Sequence, residues 1–397
     1  MTRTAALLLA LAVATAAEPA GGKVVLVDGR EIAGARLVDG TAAQVRLRRA
    51  DNTTFQVPAT YLVSITEPKP VPHRALHPFN LYLRNGDRLR GEVKGDGEAL
   101  LLSSPGVRKL RVDLTDVAAV RFGRLLVTLE ARYGEVFTEE MRRGRDVVVV
   151  QRDTRPFPVY ARVLSLQRDS LRVRIDDQLR DLPYHKVYGF VRAKEDDAKE
   201  VTGLRVRVSL SGDGRVTLPF DRISETVIAS GGTQVMRAHV ERLEFLGDHI
   251  AHLSDFDPIG VKEVALFGEA PPWRRDGMVL GGPLRIRGRL YVRGVGVSAY
   301  SRLEYALASR WNRFFVRCGI DDAAGPAGDA IFRVHGDGRL LKEVRRRRGE
   351  APIPLNLDVK GVDRLVLEAA PGTSYISDFC DWAEARVYNA QPGEDGK

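Results

Sequence analysis

The stretch Arg289–Leu307, RLYVRGVGVSAYSRLEYAL, decides between two folds. Gly294, Gly296 and Ala299 stand at the spacing of the G-x-G-x-x-G/A dinucleotide fingerprint. Such a loop must follow a parallel strand and open a helix, so that a pyrophosphate meets the helix N-terminus. The residues that follow, YSRLEYALASRWNRFFVRCGIDD, have no helical period. Leu303, Tyr305 and Leu307 alternate with Arg302, Glu304 and Ala306, and Phe314, Val316 and Cys318 alternate with Phe315 and Arg317. A period of two means strands. The glycines therefore read as backbone devices at a strand corner of a β-sandwich, and no nucleotide is expected.

Working outward, strands dominate the rest of the 397 residues. From Lys23 to about Val191 the sequence echoes itself. VVLVDGREIAGARLVDGTAAQVRLRRADNTTFQVPATYLVSI is followed by NLYLRNGDRLRGEVKGDGEALLLSSPGVRKLRVDLTDVAAVRF, and then by a more worn copy, DVVVVQRDTRPFPVYARVLSLQRDSLRVRIDDQLRDLPYHKVYGFV. Asp28-Gly29 and Asn85-Gly86 suit tight hairpins, and Gly34 and Gly91 follow at matching offsets where a bent strand wants no Cβ. A further β unit begins at Leu204. The rhythm of each copy resembles the small Sm-like or SH3-like barrel, but the loop after Gly91 lacks the residues with which Sm-like proteins hold RNA bases. The sequence thus predicts an all-β chain: two barrel-like repeats over 23–125, further β repeats over 146–250, and a sandwich over 251–390. The best helical candidate, around Glu139–Arg143, reads as a linker turn.

The first residues carry Arg3, an apolar run from Ala5 to Ala14 and an A-x-A site at Ala14-Thr15-Ala16, the pattern of a secretory signal peptide over 1–17. No later run approaches a membrane span. A secreted, periplasmic or cell-envelope protein is expected. In such a compartment Cys318 and Cys380 could be joined as a disulfide or stand as two small apolar core residues, and the sequence leaves both readings open. The formal net charge is +9, with most basic residues alternating with apolar ones along strands, as a solvated face does. The dense run Arg345–Arg348 reads as a surface loop that could meet an acidic polysaccharide.

The C-terminal third resembles a known family. HLSDFDP, GGPLRIRGRLYVRGVGVSAYSRLEYAL, RFFVRCGIDD, GDAIFRVHGDGRLLKE, VDRLVLEA and SDFCDWAEARVY follow one another as in the NPCBM carbohydrate-binding modules of exported bacterial proteins. The resemblance implies a galactose-binding-like jelly roll and a glycan ligand. One departure stands out: Ser298 occupies the place where the family usually has His after G-x-G-V.

Sugar sites pair an aromatic face with planar polar groups. The candidates in the matched region are Tyr300, Arg302, Asp321, Asp322, Asp381 and Trp382, each with a structural reading beside it: Trp382 as core, Asp321-Asp322 as an Asx turn. No cofactor is expected beyond a structural calcium near Asp321 or Asp378. His249 and His252 are three apart, on opposite faces of a strand, which disfavours one shared metal. No H-E-x-x-H, G-x-S-x-G or Walker pattern occurs, and Asp255 and Asp257 fit the opening motif of the family without any chemistry. The expectation is a non-enzyme that binds carbohydrate or an envelope glycoconjugate and no nucleic acid. The alternative is an envelope scaffold that docks other proteins through its N-terminal repeats.

Overall fold

The computed structural model describes residues 22–68, 70, 80–122, 145–152, 155–193, 202–212, 214–264, 271–373 and 378–389. The signal-peptide segment and the turn expected around Glu139–Arg143 lie outside them. Among the described residues there is no α-helix; the helical elements are single 3-10 turns such as Ala59–Tyr61 and Leu114–Asp116.

One five-strand plan occurs four times between Gly22 and Leu246. In the first copy the strands are Gly22–Leu26, Glu31–Thr41, Gln44–Arg48, Thr54–Pro58 and, after the 3-10 turn, Leu62–Thr66. The first strand pairs with the second and the fifth, while the far half of the second pairs with the third and the third with the fourth. The second strand serves both layers because it bends just past Gly34, whose φ is +74°. The later copies break the chain at that bend: at Arg90-Gly91 in the second, at Ala161 in the third and at Phe220-Asp221 in the fourth. In every copy a 3-10 turn delivers the fifth strand back beside the first.

The copies do not close into separate barrels. Each lends its edges to a neighbour, in the spatial order first, fourth, second, third. Leu62–Thr66 pairs with Val240–Leu246, Arg88 with Arg215, and Val117–Arg121 with Val187–Val191, so one antiparallel sheet runs through all four units. A second layer is joined by Gly40–Thr41 to Arg222–Ile223, by Val107–Arg108 to Thr233–Met236, and by a bridge between Gly97 and Leu166. The apolar residues facing inward from both layers form one continuous core. At the third copy the array ends on Arg155–Tyr160, from which Pro156 and Pro158 remove two amide donors and so blunt it as an edge.

Residues 250–388 form a sandwich. One sheet runs Arg274–Arg275, Gly294–Ser298, Phe379–Tyr388, Arg313–Ile320, Ile353–Asp358, with Ile250–His252 added on the end of Phe379–Tyr388. The other runs Gly260–Glu263, Ser301–Ala306, Arg364–Pro371, Asp329–Gly336, Arg339–Arg347. All pairings are antiparallel, and Val295, Leu303, Tyr305, Phe314, Val316, Phe332 and Trp382 fill the space between. The period-two reading of Ser301–Ala306 and Arg313–Ile320 matches these strands. The glycines differ from expectation in place: they lie inside Gly294–Ser298 and not at its corner. A Cβ on Gly296 would meet the Gly277 carbonyl oxygen at 2.3 Å, so that glycine lets the Gly277–Val279 segment lie directly on the strand.

The outer face of the first sandwich sheet is covered. Its upper half takes the hairpin Leu284–Ile286/Arg289–Tyr291, where Ile286 packs over Gly319. Its lower half meets the first N-terminal unit, and Phe315 and Tyr388 belong to that unit's core. Arg386 is fully buried there: it donates to the Val27 and Leu26 carbonyls, both at 3.0 Å, and stacks at 4.1 Å over Phe315. Arg317 reaches the Gly29 carbonyl at 2.9 Å and Glu31 at 3.1 Å. Beside them Glu244 of the fourth unit is held by Arg293 at 2.9 Å and Arg207 at 3.2 Å. These arginines keep Glu244 ionised despite its burial, and the same burial, with Arg293 alongside, lowers the pKa of His252 to about 3.

Candidate functional site

The six residues singled out from sequence do not gather at one site: Asp321, Asp322 and Asp381 meet at the hairpin, while Tyr300, Arg302 and Trp382 lie apart from them. Trp382 is fully buried, its ring edge-on to Phe332 at 5.0 Å in the sandwich core, and it offers no face to a ligand from solvent. Asp381, next along the strand, points to the opposite face and is also fully buried. It lies against Asp321 beneath the hairpin, where burial and that second carboxylate push its pKa well up. Asp321 accepts from the Arg285 amide at 2.9 Å and from the Ala323 amide at 2.8 Å; the second of these is the Asx-type bond anticipated for it. Asp322 accepts from the Arg287 amide at 2.8 Å and the Gly288 amide at 2.6 Å. The two aspartates pin the hairpin turn. Arg302 stands exposed on the outer face of the second sheet, 3.6 Å from Glu368 in a lattice of charges that includes Arg333 and Glu343.

Tyr300 has a different setting. It forms the turn that carries the chain from one sheet to the other, at φ +67°, with 39% of its surface exposed. Its neighbour Ala299 donates to the carbonyl of Asp378, a residue outside the predicted six. One carboxylate oxygen of Asp378 accepts from the Asp329 amide at 3.0 Å, while the other is buried without a partner. Burial, with the Asp329 charge adding to it, raises the Asp378 pKa to about 6. Asp329 is held in the opposite sense: Arg345 grips both of its oxygens, Thr373 donates from its amide and hydroxyl, and its pKa falls well below the carboxylate range. The Ser298 and Ser301 hydroxyls at the same turn are buried without a partner too. Buried polar atoms are normally paired, and here three unpaired ones lie near one exposed aromatic at this end of the sandwich. From sequence Asp378 stands out only in connection with a structural calcium and not as a sugar contact, because one Asp after a turn carries no distinguishing spacing.

The other readings resolve as follows. Cys318 and Cys380 are free thiols in the core, and burial raises both pKa values. Asp255 and Asp257 are bound by Arg293 and Arg275, and His252 lies 3.8 Å from Glu244 in the domain junction. Among the described residues no three His, Cys, Asp or Glu side chains converge as a metal site, near Asp321 or Asp378 or elsewhere.

A Renibacterium salmoninarum protein that carries the name of an endo-alpha-N-acetylgalactosaminidase is 34% identical over 117 residues, 28% of this chain and 8% of that protein, so the chain spans a small part of that relative's length. Among solved structures, a CBM51 module from Clostridium perfringens GH95 in complex with methyl-galactose aligns at 21% identity and a TM-score of 0.31, covering 35% of this chain and 99% of the module. Tandem CBM51 modules of a family 98 glycoside hydrolase from Streptococcus pneumoniae align at 13% identity and a TM-score of 0.32, covering 81% of this chain and 92% of theirs. The family model described as NPCBM/NEW2 domain matches residues 251–388, the span of the sandwich, and that part of the chain is an NPCBM/NEW2 domain.

Proposed function

We propose that this is an exported, non-catalytic protein that binds carbohydrate or an envelope glycoconjugate at the sandwich end formed by Tyr300, Ser298 and Asp378. The observation that carries the reading is the set of buried, unpaired oxygens on Ser298, Ser301 and Asp378 beside the exposed Tyr300 ring, within a domain of a carbohydrate-binding family. A sugar would lay its C–H face on the ring and direct hydroxyls at the oxygens. Shallow polar sites exchange water for hydroxyls at little net gain, so affinity should be on the order of micromolar to millimolar.

A glycan array on the full chain, followed by calorimetry on Tyr300→Ala and Asp378→Asn, tests this. A glycan bound by wild type and at least tenfold more weakly by both variants supports it; a folded chain that retains no glycan class sinks it. Export is checked by N-terminal sequencing of the mature protein, which should begin near Ala17 or Glu18. A scaffold that docks other envelope proteins through its N-terminal array is the second reading, favoured by Ser298 standing in place of the family's His. Specific protein capture by the full chain, with every glycan refused, would select it.

A further inference from the structure

The proposed sugar site makes no use of the basic surface of the N-terminal array. A cleft of about 560 Å³ opens between the first and fourth units. Its floor is neutral. The Arg237 guanidinium donates to the Leu37 carbonyl at 3.0 Å, the Ser224 carbonyl at 2.9 Å and Glu67 at 2.8 Å, so each of those charges is spoken for. Its wall is not neutral. Arg36 and Arg48 are direct cross-strand partners on the exposed face, and with Arg49 they outnumber Glu225, the acidic residue of the lining not taken up by Arg237. Arg46, two residues before Arg48 on the same face, is neutralised by Asp39 at 3.1 Å. Among the described residues no carboxylate comes within 4.0 Å of the Arg48 or Arg49 guanidinium, and the nearby Asp51 charge, itself tied to Thr53, is felt only at longer range by Arg49. Arg49 is held ready, its guanidinium 4.4 Å over the Phe55 ring.

The strand Gln44–Arg48 continues the surface. Gln44, Arg46 and Arg48 share one face, and a second recess of about 410 Å³ beside Arg46 is lined by Gln44, Gln56 and Arg222. Arginine forks match carboxylates, glutamine amides match hydroxyls, and Leu37 and Pro68 give the cleft an apolar side for C–H groups. Nucleic acid is a poorer fit, because the one ring at the wall, Phe55, is already covered by Arg49 and leaves no platform for a base. We propose that this groove binds an acidic oligosaccharide, with a carboxylate seated at Arg48 and Arg49 and neutral hydroxyls over Gln44 and Gln56.

The test is calorimetry of the full chain at 50 mM salt with an oligogalacturonate, with a neutral maltooligosaccharide of equal length, and with a single-stranded oligonucleotide of equal charge. The oligogalacturonate should bind and the neutral sugar should not. Affinity should fall at least tenfold in the Arg48→Gln/Arg49→Gln variant, whose melting temperature should match wild type because both side chains are exposed, and should be unchanged in Tyr300→Ala. Absence of oligogalacturonate binding, binding undiminished by the double variant, or equally tight oligonucleotide binding would each overturn the proposal. Loss of binding in Tyr300→Ala would instead move it to the sandwich end.

Discussion

Gly29→Ala tests whether the N-terminal array and the sandwich stabilise each other. Gly29 lies in the first hairpin of the first unit at φ +87°, and Gly86 holds the matching turn of the second unit at φ +83°. Alanine at either position suffers the same left-handed strain, roughly 1–2 kcal/mol. The surroundings differ. A Cβ on Gly29 would lie 1.9 Å from the Phe315 ring of the sandwich, whereas one on Gly86 would meet only the guanidinium end of Arg215 at 3.4 Å, an ordinary van der Waals distance. Moving Phe315 disturbs the stacked Arg386 and Arg317 as well, and overpacking of this kind costs about 1–3 kcal/mol more. Tryptophan fluorescence reads the result on one side only, because the chain's 3 tryptophans, Trp273, Trp311 and Trp382, all lie in the sandwich. With a urea slope of about 2 kcal/mol/M, Gly29→Ala should lower the tryptophan-detected midpoint by about 1 M or more. Gly86→Ala should move it by roughly half as much. Equal shifts, or no shift with Gly29→Ala, would refute the coupling of the two parts through Phe315.

Arg386→Met keeps the stem but removes the donors to Leu26 and Val27; set against relief from burying the charge, it should cost about 2–4 kcal/mol in the same unfolding assay. Asp378 has a folded pKa of about 6 against 3.8 unfolded, so the native state holds the extra proton: its contribution is full below pH 3.8 and is lost as pH rises through 6. Asp378→Asn should therefore flatten that slope and exceed wild type in stability above pH 6 by urea titration. His252 acts with the opposite sign: its folded pKa of about 3 lies below 6.5, so stability is full above pH 6.5 and declines as pH falls toward 3, a decline that His252→Gln should reduce. Cys318 and Cys380 should resist a thiol reagent in the native protein and react stoichiometrically once it is unfolded.

Much of the architecture is legible because strand patterning and turn chemistry are local. The alternation around Leu303 and Phe314 excludes a nucleotide loop, and Asp28-Gly29 and Asn85-Gly86 mark equivalent hairpins. The third and fourth copies are harder to see because Ala161 and Phe220-Asp221 stand where the earlier copies have glycine near the bend. The spatial order of the units is hidden for a different reason. Leu62–Thr66 finds Val240–Leu246 through backbone amides and carbonyls, groups that every residue carries alike.

The site residues were hard to choose because the last strand is covered on both faces. Alternation along Phe379–Tyr388 assigns Trp382 and Asp381 to opposite sides, and an ordinary surface sheet would leave the aspartate in water. Here one side is the sandwich core, while the other is closed first by the hairpin over Asp381 and then by the first unit over Arg386. A charged residue on such a strand is read as solvated unless its partner is known, and the partners of Arg386 are two carbonyls more than 350 positions away in the chain, at separations of 359 and 360. Tyr300 escapes this ambiguity because a turn between sheets has only one covered side. Its exposed ring stayed identifiable from sequence, while the unpaired oxygens beside it emerged only once the strands were packed.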